Sequence, residues 1–99
     1  MEKNDINIKQ LENMRREGAT ILDVRSPKEY EEGHIDGAVL IPEYELRIKI
    51  KEILKDQKQT IVIYCASGVR SKRAQRLLKK MGYNNVYNLY NGIENYWDF

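Results

Sequence analysis

Ile61-Val62-Ile63-Tyr64-Cys65-Ala66-Ser67-Gly68-Val69-Arg70 runs from a block of β-branched and aromatic residues, through small side chains, toward a segment with helical spacing. Ile61 to Tyr64 lacks the apolar–polar alternation of a half-exposed strand, so it reads as a strand buried on both faces. Beyond the loop, Ala74, Leu77, Leu78 and Met81 share one helical face, and Gly82 is placed to end that helix. A buried strand, a short loop and a helix form the repeating unit of an α/β layer fold, and the rest of the chain repeats it.

Toward the N-terminus, Asn7 and Gln10 have capping-box spacing, and Ile8, Leu11 and Met14 or Arg15 mark one face of a first helix that Gly18 can end. Thr20-Ile21-Leu22-Asp23-Val24 reads as a second buried strand. Ser26-Pro27-Lys28-Glu29 starts a short helix with a hydroxyl cap, proline at the first position and Glu at the third, and Gly33 closes it. Ala38 to Ile41 reads as a brief strand ended by Pro42, and Leu46, Ile50, Ile53 and Leu54 mark another helical face. Val86 to Leu89 is a last strand, followed by a turn at Asn91-Gly92 and a short helix carrying Tyr96 and Trp97. The expectation is a mostly parallel central sheet of about five strands with helices on both faces. Ligands of such sheets bind beyond the carboxyl ends of the strands, where Cys65 falls.

At 99 residues, without repeats or a Pro/Gly/Ser linker, residues 1–99 read as one domain. A hydrophobic share of 41% against 32% charged residues fits a packed fold and argues against disorder. With 17 Lys and Arg against 15 Asp and Glu, the net charge of +2 gives no reason to expect nucleic acid as a partner. The N-terminus has no apolar export signal, and no apolar run nears the roughly 18 residues of a membrane span. A cytoplasmic protein without a membrane partner is expected.

The single cysteine makes no internal disulfide, so Cys65 is either a small buried hydrophobe or a reactive thiol. A strand that passes through Ala-Ser-Gly into a helix turns backbone N–H groups inward as an anion-binding nest. Gly68 tolerates positive φ, Ser67 adds a hydroxyl, and Arg70 supplies a permanent cation at the loop's far end. Such a setting favours thiolate over thiol without a histidine base. Local composition alone leaves the core and reactive readings open.

Asp23-Val24-Arg25, Glu29-Tyr30, Gly33-His34-Ile35-Asp36-Gly37-Ala38 and Cys65-Ala66-Ser67-Gly68-Val69-Arg70-Ser71 occur in an order that resembles the rhodanese family, from Ile8 through Gly92 and Trp97. The resemblance implies the rhodanese fold and a catalytic Cys65. Its sulfurtransferase branch resembles Cys-x-x-x-x-Arg, the spacing present here, whereas the related phosphatases carry one more loop residue. The implied reaction is sulfur transfer in two steps through a covalent persulfide on Cys65. Ala66, Ser67, Gly68, Val69, Arg70 and Arg25 would bind substrate, with Arg25 either facing it or bracing the site through Asp23. Neither a metal nor a cofactor is implied.

The implied partners are a small sulfur-donor anion such as thiosulfate, or a protein persulfide, and a thiol, cyanide or protein acceptor. Ala66 stands where the best thiosulfate users often carry a cation, and Val69 is also uncharged, so a larger or less anionic donor suits the mouth. His34, the only histidine, reads as structural, and the tyrosines between Tyr83 and Tyr96 as packing. Lys72, Arg73, Arg76, Lys79 and Lys80 form a basic helix face of the kind usually just solvated, with Lys72 and Arg73, in the first turn after the loop, placed to steer an acidic donor or partner protein. Two other readings are an interaction module without turnover and, less favoured by the loop length, a cysteine-dependent phosphatase or arsenate reductase. For the latter, no aspartate acid is evident.

Overall fold

The chain forms five strands, β1 (Asp5–Ile6), β2 (Thr20–Asp23), β3 (Val39–Leu40), β4 (Ile61–Tyr64) and β5 (Val86–Leu89), joined in one sheet of order β1-β5-β4-β2-β3. This is a computed structural model, and it describes residues 2–95. Every strand pairing is parallel. Parallel neighbours cannot be joined by tight hairpins, and the crossovers run through α1 (Ile8–Arg16), α2 (Pro27–Glu32), α3 (Leu46–Ile53) and α4 (Val69–Lys80).

The helix starts follow from local chemistry. Asn7 and Gln10 close a reciprocal capping box on α1, and Ser26 and Glu29 close one on α2, where proline takes the first turn. Along β4, side chains alternate between two cores. Ile61 and Ile63 pack with Leu46 and Ile50 of α3 and Ala74 and Leu78 of α4. Val62 and Tyr64 pack on the opposite face with Leu11 of α1 and with Ile35. All four are fully buried, which is why this segment shows no polar alternation.

The structure departs from the sequence reading in a few places. β1 has only two residues, one of them an aspartate, and is a strand because β5 aligns it, Asp5 with Asn88 and Ile6 with Leu89. A 3-10 turn at Glu43–Glu45 precedes α3. Ile53, expected on the buried face of α3, is exposed, and Leu54 takes the inward position after the helix ends. α4 begins at Val69, so Val69 and Arg70 belong to its first turn rather than to the loop. A second 3-10 turn, Ile93–Asn95, follows β5, while Tyr96 and Trp97 lie outside the described residues. Among the described residues no helix is long and apolar enough to cross a membrane.

Candidate active site

Cys65 leaves the carboxyl end of β4, the strand paired on both sides by β2 and β5, and its side chain is fully buried. Its Sγ receives the N–H of Gly68 at 3.1 Å and the N–H of Ser71 at 3.3 Å, and lies 3.3 Å from Ser71 Oγ. The first N–H groups of a helix have no partner within it and call for an outside acceptor. Gly68 caps α4 but has no side chain to offer, so the sulfur of Cys65 does what a capping oxygen does elsewhere. An acceptor so placed faces the positive end of the helix dipole.

Two close approaches hold this arrangement. Gly68 has φ +96, and a Cβ there would run into the carbonyl of Tyr90. Gly92 has φ +71, and a Cβ there would run into the carbonyl of Ala66 and the nitrogen of Ser67. The segment after β5 therefore lies directly against the loop, where Ile93 N–H donates to Cys65 O at 2.9 Å and Glu94 N–H to Ala66 O at 3.1 Å.

The charged residues are arranged in pairs. Arg70 does not point freely over the sulfur; its guanidinium is held bidentately by Glu29 of α2, at 2.8 and 2.9 Å. That hydrogen bonding, working against burial, holds Glu29 down to about 2 and raises Arg70 above its ordinary value. Arg73 is paired with Glu43 at 2.9 Å, and Lys72 with Asp5 at 2.5 Å and Glu2 at 3.2 Å. The basic start of α4 is thus matched by carboxylates from other elements.

Arg25 lies at the end of β2, almost entirely buried. Burial opposes its charge, but the hydrogen bonds it donates to Asp23 outweigh that and raise its pKa. Its guanidinium donates to Asp23 at 2.8 Å and to Gly33 O at 2.6 Å, and lies 5.5 Å from the ring centre of Tyr64. Tyr64 donates its hydroxyl to the same carboxylate at 2.6 Å and accepts from Ile35 N–H at 3.1 Å. Burial first, and Asp23 second, push the Tyr64 phenol above its usual range. Of the two roles open to Arg25 in the sequence, this placement corresponds to bracing.

The remaining residues fall into place around these. Val69 is 61% exposed beside the loop, and Tyr44 is 73% exposed across from it. A cleft of about 350 Å³ lies between Val24, Arg25, Glu43, Tyr44, Arg70 and Arg73. His34 donates Nδ1–H to Tyr30 O at 2.7 Å and stacks on the Tyr30 ring at 3.6 Å, contacts that bind its own turn together. Among the described residues, no three His, Cys, Asp or Glu side chains cluster to hold a metal. Ser71 and Glu29 were not singled out as site residues from sequence. Ser71, six residues after the cysteine, is the first-turn position whose N–H and hydroxyl return to the sulfur, and Glu29 reads from sequence as a helix-start residue and part of the Glu29-Tyr30 match, with no sign of its bond to Arg70.

With this geometry in view, the family comparison has a physical meaning. The model of the rhodanese-like domain matches residues 7–98, and the chain belongs to that family. It is 37% identical over 67 residues to the thiosulfate sulfurtransferase PspE of Escherichia coli, covering 68% of this chain and 64% of that one. It is 40% identical over 77 residues to a sulfurtransferase of Allochromatium vinosum, covering 78% of this chain and 70% of that one. The chain spans 64% of the first of these relatives' length and 59% of that of an uncharacterized Bacillus subtilis protein, YqhL. A solved human single-domain sulfurtransferase shares the fold with a TM-score of 0.87 at 23% identity, covering 98% of this chain and 97% of that one. The two bacterial relatives named as sulfurtransferases support sulfur transfer in general, and the human structure supports the fold.

Proposed function

We propose that this protein is a sulfurtransferase that carries sulfane sulfur as a persulfide on Cys65. The observation that carries the reading is the convergence of the Gly68 and Ser71 N–H groups on Cys65 Sγ within a Cys-x-x-x-x-Arg loop. In the first step the Cys65 thiolate attacks the outer sulfur of a donor, forming one S–S bond and breaking the donor's own bond to that sulfur. Thiosulfate would leave as sulfite, and an organic persulfide as a thiolate. In the second step a thiol, cyanide or protein acceptor takes the outer sulfur and returns the Cys65 thiolate. The amides of the loop and first turn of α4 receive the added sulfur, with Ala66 and Ser67 leaving room for it and Arg70 and Arg25 fixing the walls. Because Cys65 is fully buried, the loop has to admit the donor's outer sulfur.

That same burial favours one other reading, an interaction module without turnover, in which Cys65 is only a core residue. Intact mass after exposure to thiosulfate, and separately to polysulfide, separates the two. The sulfurtransferase reading expects a gain of one sulfur, about 32 Da, that cyanide removes and Cys65→Ser abolishes. No adduct from either donor on folded protein would overturn it and leave the interaction module.

A further inference from the structure

The mouth of the site contains two arginines, yet almost none of their charge is available. Arg70 is spent on Glu29 and Arg73 on Glu43, each through two guanidinium nitrogens. Both lie near enough to the sulfur to sense it. After the dominant contribution of its own carboxylate, each arginine is also held protonated in small part by Cys65. The uncharged side chains of Ala66 and Val69 and the exposed ring of Tyr44 stand nearby, and on the Ser67–Val69 side Lys72 and Arg76 are paired in turn with Asp5 and Glu2.

A donor's two ends meet different environments here. Its outer sulfur goes to the amide cradle at Sγ, and its leaving group stays at the mouth. For thiosulfate that leaving group is a sulfonate departing as a sulfite dianion, which needs unpaired cations. For an organic persulfide, R–S–SH, the Cys65 thiolate attacks the outer sulfur and Cys65–S–SH forms. The donor's S–S bond breaks, and R–S⁻ departs with a single charge and an R group that can lie on apolar surface.

We propose that Glu29 and Glu43 are specificity-determining residues that cancel Arg70 and Arg73, so that the site selects organic persulfides over dianionic donors. This rests on the sulfurtransferase reading and names its donor class. The test measures the second-order rate of Cys65 persulfide formation from thiosulfate and from the persulfide of an N- and C-capped cysteine. Wild type is compared with Glu29→Gln and Glu43→Gln. Freeing one arginine several ångströms from a dianion through water is worth a rise of about five- to tenfold in the thiosulfate-to-persulfide rate ratio. The rise should shrink at high salt, which a purely structural effect of either substitution would not do. Glu43 lies outside the loop in a partly exposed pair, so Glu43→Gln decides the matter if Glu29→Gln does not fold. An unchanged ratio in a folded variant that still loads from the capped persulfide overturns this inference and leaves sulfur transfer standing. Failure of wild type to load from either donor overturns the sulfurtransferase reading itself, and this inference with it.

Discussion

Replacing Gly92 with alanine tests how the segment after β5 holds the loop. The new Cβ meets the backbone of Ala66 and Ser67, and the residue sits at φ +71. Left-handed backbone alone costs alanine about 1–2 kcal/mol. The overlap is with backbone rather than a flexible side chain, so it is relieved only by separating the two segments. That breaks the Ile93-to-Cys65 and Glu94-to-Ala66 hydrogen bonds, each worth about 1 kcal/mol. The sum is about 3–4 kcal/mol, or on the order of 15–25 °C in melting temperature for a domain of this size. Gly18→Ala provides the control, because Gly18 has φ +99 but nothing within 4 Å of an added Cβ. It should lose only the conformational part, about 1–2 kcal/mol. Urea denaturation of both variants gives the difference, and the rate of persulfide loading should fall in Gly92→Ala alone. Equal losses in the two variants would refute the close-approach argument, as would a Gly92→Ala protein within about 1 kcal/mol of wild type.

Asp23→Asn should be strongly destabilising, by about 3–5 kcal/mol in thermal or urea denaturation, because it leaves the buried Arg25 guanidinium without its counter-charge. A loss below about 1 kcal/mol would show that Gly33 O and the Tyr64 ring suffice for that cation. Acid should act through Glu29. Its folded pKa of about 2 lies below the ordinary 4.5, so its contribution is complete above pH 4.5 and is lost as pH falls through the folded value. Urea denaturation between pH 4.5 and 2 should therefore fall less steeply with acid in Glu29→Gln than in wild type, and parallel curves would remove Glu29 from the account.

Much of the architecture is legible in the sequence because local and long-range preferences agree. Ile61 to Tyr64 is apolar throughout since β4 is covered on both faces, and the capping boxes at Asn7 and Ser26 set helix starts without help from the rest of the fold. β1 could not be read because two residues carry no periodicity, and only the alignment with β5 makes them a strand. Ile53 misled because hydrophobicity alone does not tell which of two adjacent apolar residues turns inward at a helix end. The motif located Cys65, the loop and the position of Arg70. It did not disclose that Arg70 is bound to Glu29, 41 residues away in sequence, or that the sulfur caps α4, since both arise from the packing of separate elements.

The strand order places β5 between β1 and β4. A chain emerging from the ribosome can assemble β2, β3 and β4 early, but β1 then has no neighbour to dock against until residues 86–89 are out. The backbone donors of Ile93 and Glu94, which close over Cys65 and Ala66, appear later still. Pairings of such long sequence separation form slowly. Until they do, the thiol of Cys65 sits on an unfinished sheet edge, open to oxidants and to exchange with adventitious disulfides. Assembly of the last strand is thus also the step that sequesters the cysteine, coupling completion of the sheet to control of its chemistry.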